Sequence, residues 1–193
     1  MYPHNHKMGQ TVQTDVGGVV CDRGFIAHYQ VTAAAADPDG VLAATALTAQ
    51  TAEVSTGITS PDVPRNLTVV GNAAGIAGNV VITGTNFAGE EITETFALNG
   101  DTPVVGTKAF KKVTRISLPA ETHAGTDTVS VGWGDKLGLP YKLPHNTVLA
   151  SCLGNGRQAN PPTVTTNPAA LESNTVELDS PLDGQVVDIY LIV

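Results

Sequence analysis

Charge is scarce in this sequence, and basic charge is scarcest. Only 15% of the 193 residues are Asp, Glu, Lys or Arg, and 18 acidic residues against 10 basic ones leave a net charge of −8. Nucleic-acid backbones are bound by neutralising phosphates with Lys and Arg, so they are unfavourable partners for such a chain. Its one basic cluster, Lys108, Lys111, Lys112 and Arg115, has no aromatic platform beside it for stacking bases, and reads as a solvated strand face or a contact for an acidic protein surface. Cysteine is nearly absent: Cys21 and Cys152 lie far apart, without the CxxC or Cys/His spacing of a zinc site. They read as free buried thiols, and a disulfide between them would need Cα atoms within about 7 Å, which spacing leaves open. No apolar run approaches the roughly 18 residues of a membrane span, and Met1 to Lys7 carries no apolar signal region, so folding in a reducing cytoplasm is expected. A GxSxG elbow, a Walker loop and HExxH are all missing, and the expectation is a protein that is not an enzyme and uses no cofactor or metal.

What the chain does have is small and β-branched apolar residues punctuated by 20 Gly and 12 Pro, a composition that favours strands and turns over long charged helices. A domain of this length buries roughly 70% of its unfolded surface, enough for a core without staples. The most strand-like stretch runs from Thr59 to Trp133 and opens with the Pro-bracketed turn Ser60-Pro61-Asp62-Val63-Pro64-Arg65-Asn66. Within it Leu67 and Val69, then Val80 and Ile82, then Ile92, Phe96 and Leu98, then Val129, Val131 and Trp133 repeat at the two-residue period of half-buried strands. Thr85 to Glu91 contains Gly and is short enough to make its flanks a hairpin, and Asn99-Gly100-Asp101 breaks the second strand. Thr107 to Leu118 drifts out of alternation, which a bulge near Lys111-Lys112 accounts for. Pro119 ends that strand, and Ala120 to Thr126 is a loop holding Glu121 and His123.

Upstream, residues 1–24 are polar and aperiodic and read as an extended arm that orders against a neighbour. Phe25 to Ala35 alternates strongly, with Phe25, Ala27, Tyr29, Val31, Ala33 and Ala35 on one face. Asp37-Pro38-Asp39-Gly40 follows as a turn in which Pro presets φ and Gly takes a positive φ. The Ala, Leu and Gln of Val41 to Glu53 would suit a helix, but its Thr content and the preceding turn favour a returning strand, which makes 25–58 an N-terminal hairpin section. Residues 59–145 then form a central β-sandwich, and 146–193 supply strands that complete the body, among them Thr147 to Leu153. The last strand, Val186 to Val193, is apolar on both faces apart from Asp188 and wants cover on both sides, within a sheet or an interface. The expected fold is all-β: an antiparallel β-sandwich or barrel-like body with an extended N-terminal arm.

Each pattern that mimics chemistry has a plainer reading. Asp37 and Asp39 resemble the start of a calcium loop, but Thr48 stands where its glutamate belongs. The run Gly132-Trp133-Gly134-Asp135-Lys136-Leu137-Gly138 looks like a phosphate cradle, yet Leu139 to Pro144 behind it cannot open the helix that would hold a phosphate. Trp133 reads instead as core or interface filler, between glycines that let the backbone come close. Glu90 and Glu91 sit beside a hairpin turn, where charge is ordinary, and do not read as a glycosidase pair. His4, His6, His28, His123 and His145 have no carboxylate or Cys recurring at a ligand spacing and read as exposed polar residues.

Four stretches, Gly57 to Val69, Glu91 to Gly100, Gly106 to Val113 and Val131 to Pro140, resemble virion structural proteins of tailed bacteriophages, most of all the small β-rich capsid decoration or cement proteins. They cover the middle third of the chain. The resemblance implies a non-catalytic protein that binds the outside of an assembled capsid and reinforces it, with the major capsid protein lattice as partner and no nucleic acid or membrane. It also implies a place on the virion surface after synthesis in the host cytoplasm, and a homo-trimer or homo-dimer at a symmetric lattice site. Candidate contacts to the capsid or to neighbouring copies are Tyr2, His4 and His6 in the arm, Asp62 and Arg65 in the Pro-bracketed turn, His123 in its loop, and Trp133 and Tyr141. Two other classes suit the same composition. A tail, neck or fibre component would self-assemble without a shell, and a β-sandwich carbohydrate-binding or adhesin module would use Trp133 and the tyrosines as sugar platforms.

Overall fold

The computed structural model describes residues 25–122 and 126–193 in full and the backbone of residues 12–13 and 20–21. Tyr2, His4, His6 and His123, with most of the expected arm, lie outside the described residues. The strands are β1 (Val12–Gln13), β2 (Val20–Cys21), β3 (Ile26–Thr32), β4 (Asp37–Ala46), β5 (Ala52–Val54), β6 (Arg65–Gly71), β7 (Asn79–Thr85) and β8 (Glu91–Ala97). They continue with β9 (Val104–Phe110), β10 (Lys112–Leu118), β11 (Thr128–Gly138), β12 (Val148–Leu153), β13 (Gly156–Arg157), β14 (Thr163–Thr165), β15 (Thr175–Glu177) and β16 (Val186–Ile192), and a short 3-10 turn lies at Leu171–Ser173. The fold is all-β, and among the described residues no helix is long and apolar enough to cross a membrane.

β1 and β2 pair with each other, and the remaining strands form three antiparallel sheets. The first has the order β5-β10-β7-β8, the second β14-β15-β11-β6-β9 with β4 also on β11, and the third β13-β12-β16-β3. Alternation puts Leu67, Val69, Val80, Ile82, Phe96, Ile116, Val129 and Val131 into one core between the first and second sheets. A second core lies against the third sheet, built from Tyr29, Leu137, Leu139, Val176, Val187, Ile189 and Leu191.

β11 belongs to both cores. Its first half presents Val129 and Val131 to the first core, and its end presents Leu137 to the second. β4 pairs with Thr128 to Trp133, and β15 pairs with Lys136 to Gly138. β6 follows β11 with a register break between Trp133 and Leu137. Glycine permits this crowding: a Cβ on Gly132 would lie 1.9 Å from the Asp37 carbonyl oxygen.

Several sequence expectations change here. Asp37-Pro38-Asp39-Gly40 is the start of β4 rather than a turn, its extra residues accommodated because Asp37 to Leu42 on β4 faces only Trp133 to Val131 on β11. Gly40 is needed for space under the Trp133 indole, which a Cβ there would meet at 2.6 Å, and its φ is not positive. The section 25–58 is not a hairpin, since β3 pairs with β16 while β4 pairs with β11. Thr107 to Leu118 is not one bulged strand either. The chain turns a corner at Lys111, whose N–H donates to the Thr85 carbonyl at 2.8 Å, so that β9 and β10 enter different sheets and bring Phe110 and Val113 into the same core. The actual irregularity falls between Val113 and Arg115. By contrast, β7 and β8 form the expected hairpin, with Thr85 opposite Glu91, and Val41 onward is strand and not helix.

Candidate functional site

Three of the proposed contact residues, Asp62, Arg65 and Trp133, converge, and the one at their centre is buried. Arg65 opens β6 and is 0% exposed. Its Nε donates to the Gly134 carbonyl at 2.7 Å, and Nη1 donates to the Ala34 carbonyl and to Asp62 Oδ1, both at 3.0 Å. Nη2 makes no hydrogen bond and sits 3.7 Å from Asp135 Oδ1. Asp62 turns its other oxygen to the Ala34 N–H at 2.7 Å, and Trp133 Nε1 donates to the Ala35 carbonyl at 3.2 Å. A buried guanidinium is tolerated only when paired and hydrogen-bonded, and this one joins the β3–β4 connection, the Pro-bracketed turn and the bend of β11. Arg65 therefore has no surface to offer a partner, which corrects its place among the contacts. Asp62 remains partly open, at 31% side-chain exposure, while Tyr141 is half-buried against the second core.

Among the described residues, no group of three His, Cys, Asp or Glu is placed to hold a metal ion. A pocket of about 230 Å³ lies beside β12, lined by Leu149, Ser151, Arg157, Asn160 and Pro161 among others, with Arg157 as its ionisable group. It brings together no nucleophile, base and orienting group of the kind that acyl or phosphoryl transfer needs.

The third sheet presents a different kind of surface. Its inner face is closed by Val187, Ile189 and Leu191, each fully buried. The register of β16 on β3 then places Ile192 opposite Ile26, Tyr190 opposite His28, Asp188 opposite Gln30 and Val186 opposite Thr32 on the outer face. Ala150 and Cys152 of β12 lie opposite Tyr190 and Asp188 on the other side. One end of this face is apolar and open, with Ile26 70% exposed opposite Ile192 and Leu149 49% exposed on β12, while Phe25 and Val193, on the side of Tyr29 and Leu191, are exposed past the end of the inner face. Its middle is polar and internally bonded. The His28 ring stacks on Tyr190 with centroids 4.6 Å apart and planes 4° from parallel, while His28 Nε2 and Gln30 Nε2 both reach Asp188 Oδ1, at 2.6 and 2.7 Å. The hydrogen bond from His28, followed by that from Gln30, holds the Asp188 carboxyl below the usual carboxylate range.

An apolar patch bordered by satisfied polar groups is suited to another protein surface, since it can be covered without stranding a charge. Of the proposed contacts that lie among the described residues, Asp62, Arg65, Trp133 and Tyr141, none is among the residues that form it. The signal in the sequence was Val186 to Val193, apolar on both faces: one face finds its cover in the second core and the other remains open. His28 and Gln30 carried no such signal, because they meet Asp188 across 160 and 158 residues of chain. No family model, curated protein or solved structure matches the chain.

Proposed function

We propose that this protein is a non-enzymatic virion structural protein that binds the outside of an assembled phage capsid and reinforces it. The observation that carries this reading is the outer face of the third sheet, where Ile26 and Ile192, with Leu149 at the register break of β12, expose apolar surface at one end of a sheet whose other side is a closed core. A rigid sheet can press such a patch against a junction between shell subunits, and a ligand that binds only the assembled state stabilises that state by mass action. The four stretches that resemble decoration proteins point to the capsid as the surface being bound. The carbohydrate-binding alternative has less support, because the indole of Trp133, its main sugar platform, lies over Gly40 and donates its N–H to Ala35.

The test is the abundance of the chain in purified particles. Copies comparable to the shell subunit support decoration, and a handful per particle would move the protein to a neck or tail. Leu149→Asp and Ile192→Asp, both at exposed positions, are expected to leave the fold intact and to lower occupancy on shells by at least ~10-fold. Removal of residues 1–24 is expected to leave a folded body that binds shells poorly. Full occupancy by both Asp variants would overturn the assignment of this face.

A further inference from the structure

Most sheet edges in this protein are blunted. On β8, Glu94 turns its carboxylate to the Thr107 N–H at 2.7 Å, the Thr107 hydroxyl at 2.9 Å and the Lys108 N–H at 3.4 Å, occupying the space between β8 and β9. β5 is three residues long and carries Glu53, paired with Arg115 at 3.5 Å. β4 begins with Asp37-Pro38-Asp39 and has two register breaks, β13 has two residues, and β14 has three and follows Pro161-Pro162. Short length, charge, proline and bulges are the usual devices that keep edges from pairing with other chains.

β3 has none of them. It runs for seven residues, Ile26–Thr32, in seven consecutive register pairs with β16, without Pro, Asp, Glu, Lys or Arg. Phe25 and Val193 exchange both backbone hydrogen bonds, each 2.9 Å long, so antiparallel alternation assigns Ala27, Tyr29 and Val31 to bonds with β16. Ile26, His28, Gln30 and Thr32 must then direct their N–H and C=O groups to the opposite edge. Ile192, the partner of Ile26, obeys the same alternation by donating its N–H away from β3, to Thr147 at 3.1 Å. Among the described residues no strand takes up the β3 edge, and β2, the strand just before it, pairs with β1.

We infer that the β3 edge is a self-association site, at which β3 of a second copy pairs antiparallel across a two-fold axis. A row of free peptide groups accepts only an extended strand, and an antiparallel pair of the same strand is self-complementary under two-fold symmetry. With the axis at Tyr29, Ile26 lies opposite Thr32 of the second copy and His28 opposite Gln30. All four outward residues are then used on each copy, and the two third sheets become one continuous sheet. Charge favours this edge. Each copy carries a net charge of −8, so approach is opposed over most of the surface, while β3 brings no ionised Asp or Glu to the axis. This pairing does not rest on the shell-binding reading, and its test needs no shell.

The experiment measures the mass of the full chain by sedimentation from micromolar to sub-millimolar concentration, alongside residue-resolved amide exchange. A dimer is expected, with slow exchange at Ile26, His28, Gln30 and Thr32 as well as at Ala27, Tyr29 and Val31, the latter three serving as internal controls held by β16. Gln30→Lys adds charge near the axis at an exposed position. It should weaken self-association at least ~10-fold and release the first set of amides while leaving the second protected. Three outcomes overturn the inference. They are a monomer at all concentrations with the first set exchanging freely, a monomer with that set protected, which would assign the edge to the chain's own N-terminal residues, and a dimer that Gln30→Lys leaves unchanged.

Discussion

Tyr29 carries a hydroxyl that finds no hydrogen-bond partner among the described residues. The ring packs in the second core, edge-on to Phe87 with centroids 6.2 Å apart, while Oη is buried without a hydrogen bond and burial pushes its ionisation upward. A stranded hydroxyl costs about 1–3 kcal/mol, so Tyr29→Phe is expected to gain roughly 1 kcal/mol in denaturant unfolding. A loss of stability would mean that the hydroxyl is bonded after all. Asp188 gives a second test at this scale. Hydrogen bonds from His28 and then Gln30 lower its folded pKa, so their stabilisation is present above the unfolded value of about 3.9 and lost as pH falls through the folded value. The unfolding midpoints of wild type and Asp188→Asn are expected to differ at pH about 6 and converge toward pH about 2; curves that stay parallel throughout would count against the linkage. Neither environment was legible from neighbouring residues. Tyr29 looked like any inward position on an alternating strand, and Asp188 like the one polar interruption in an apolar one.

At the scale of elements, alternation and turn chemistry located most strands. The β7–β8 hairpin was readable because its partners are adjacent in the chain and Asn86 closes the loop locally, its Oδ1 accepting the N–H groups of Ala88 and Glu90 at 3.0 Å each. The partners of β3 and β4 were not readable, since strand propensity does not say which strand lies alongside. The corner at Lys111 was hidden for the same reason: a lapse in alternation marks a bulge and a change of sheet alike. Close approach of β4 to β11 depends on Gly132, where a Cβ would lie 1.9 Å from the Asp37 carbonyl oxygen. Gly132→Ala is therefore expected to cost about 2–3 kcal/mol, with exchange rising along β4 before other strands. Gly156→Ala, where the nearest atom is 3.6 Å away, serves as the control and should stay within about 0.5 kcal/mol of wild type. Equal effects at the two sites would remove the steric argument.

For the whole molecule, β11 and Arg65 make the two cores one folding unit. β11 contributes buried residues to both, and the Arg65 guanidinium ties its bend to the β3–β4 connection. Fluorescence of Trp133, beside the first core, and exchange at Val187 and Ile189, in the second, are expected to report the same global stability. Arg65→Ala should cost about 3 kcal/mol, a fall in Tm of roughly 10 °C for a chain this size, because it leaves the Gly134 and Ala34 carbonyls without their donor. Separate transitions in the wild type, or an Arg65→Ala protein as stable as wild type, would contradict the coupling. The amino-acid pattern alone settled that the chain is all-β, roughly where its strands run, and that Val186 to Val193 has more apolar surface than one core can cover. Those are properties of residues near one another in the chain, where two-residue periodicity and turn chemistry operate. Folding decided that Arg65 is internal, that β3 lies beside β16, and that the open face carries Ile26, His28 and Tyr190. These outcomes depend on contacts between residues as far apart as His28 and Asp188, and no local pattern encodes which distant strand completes a sheet.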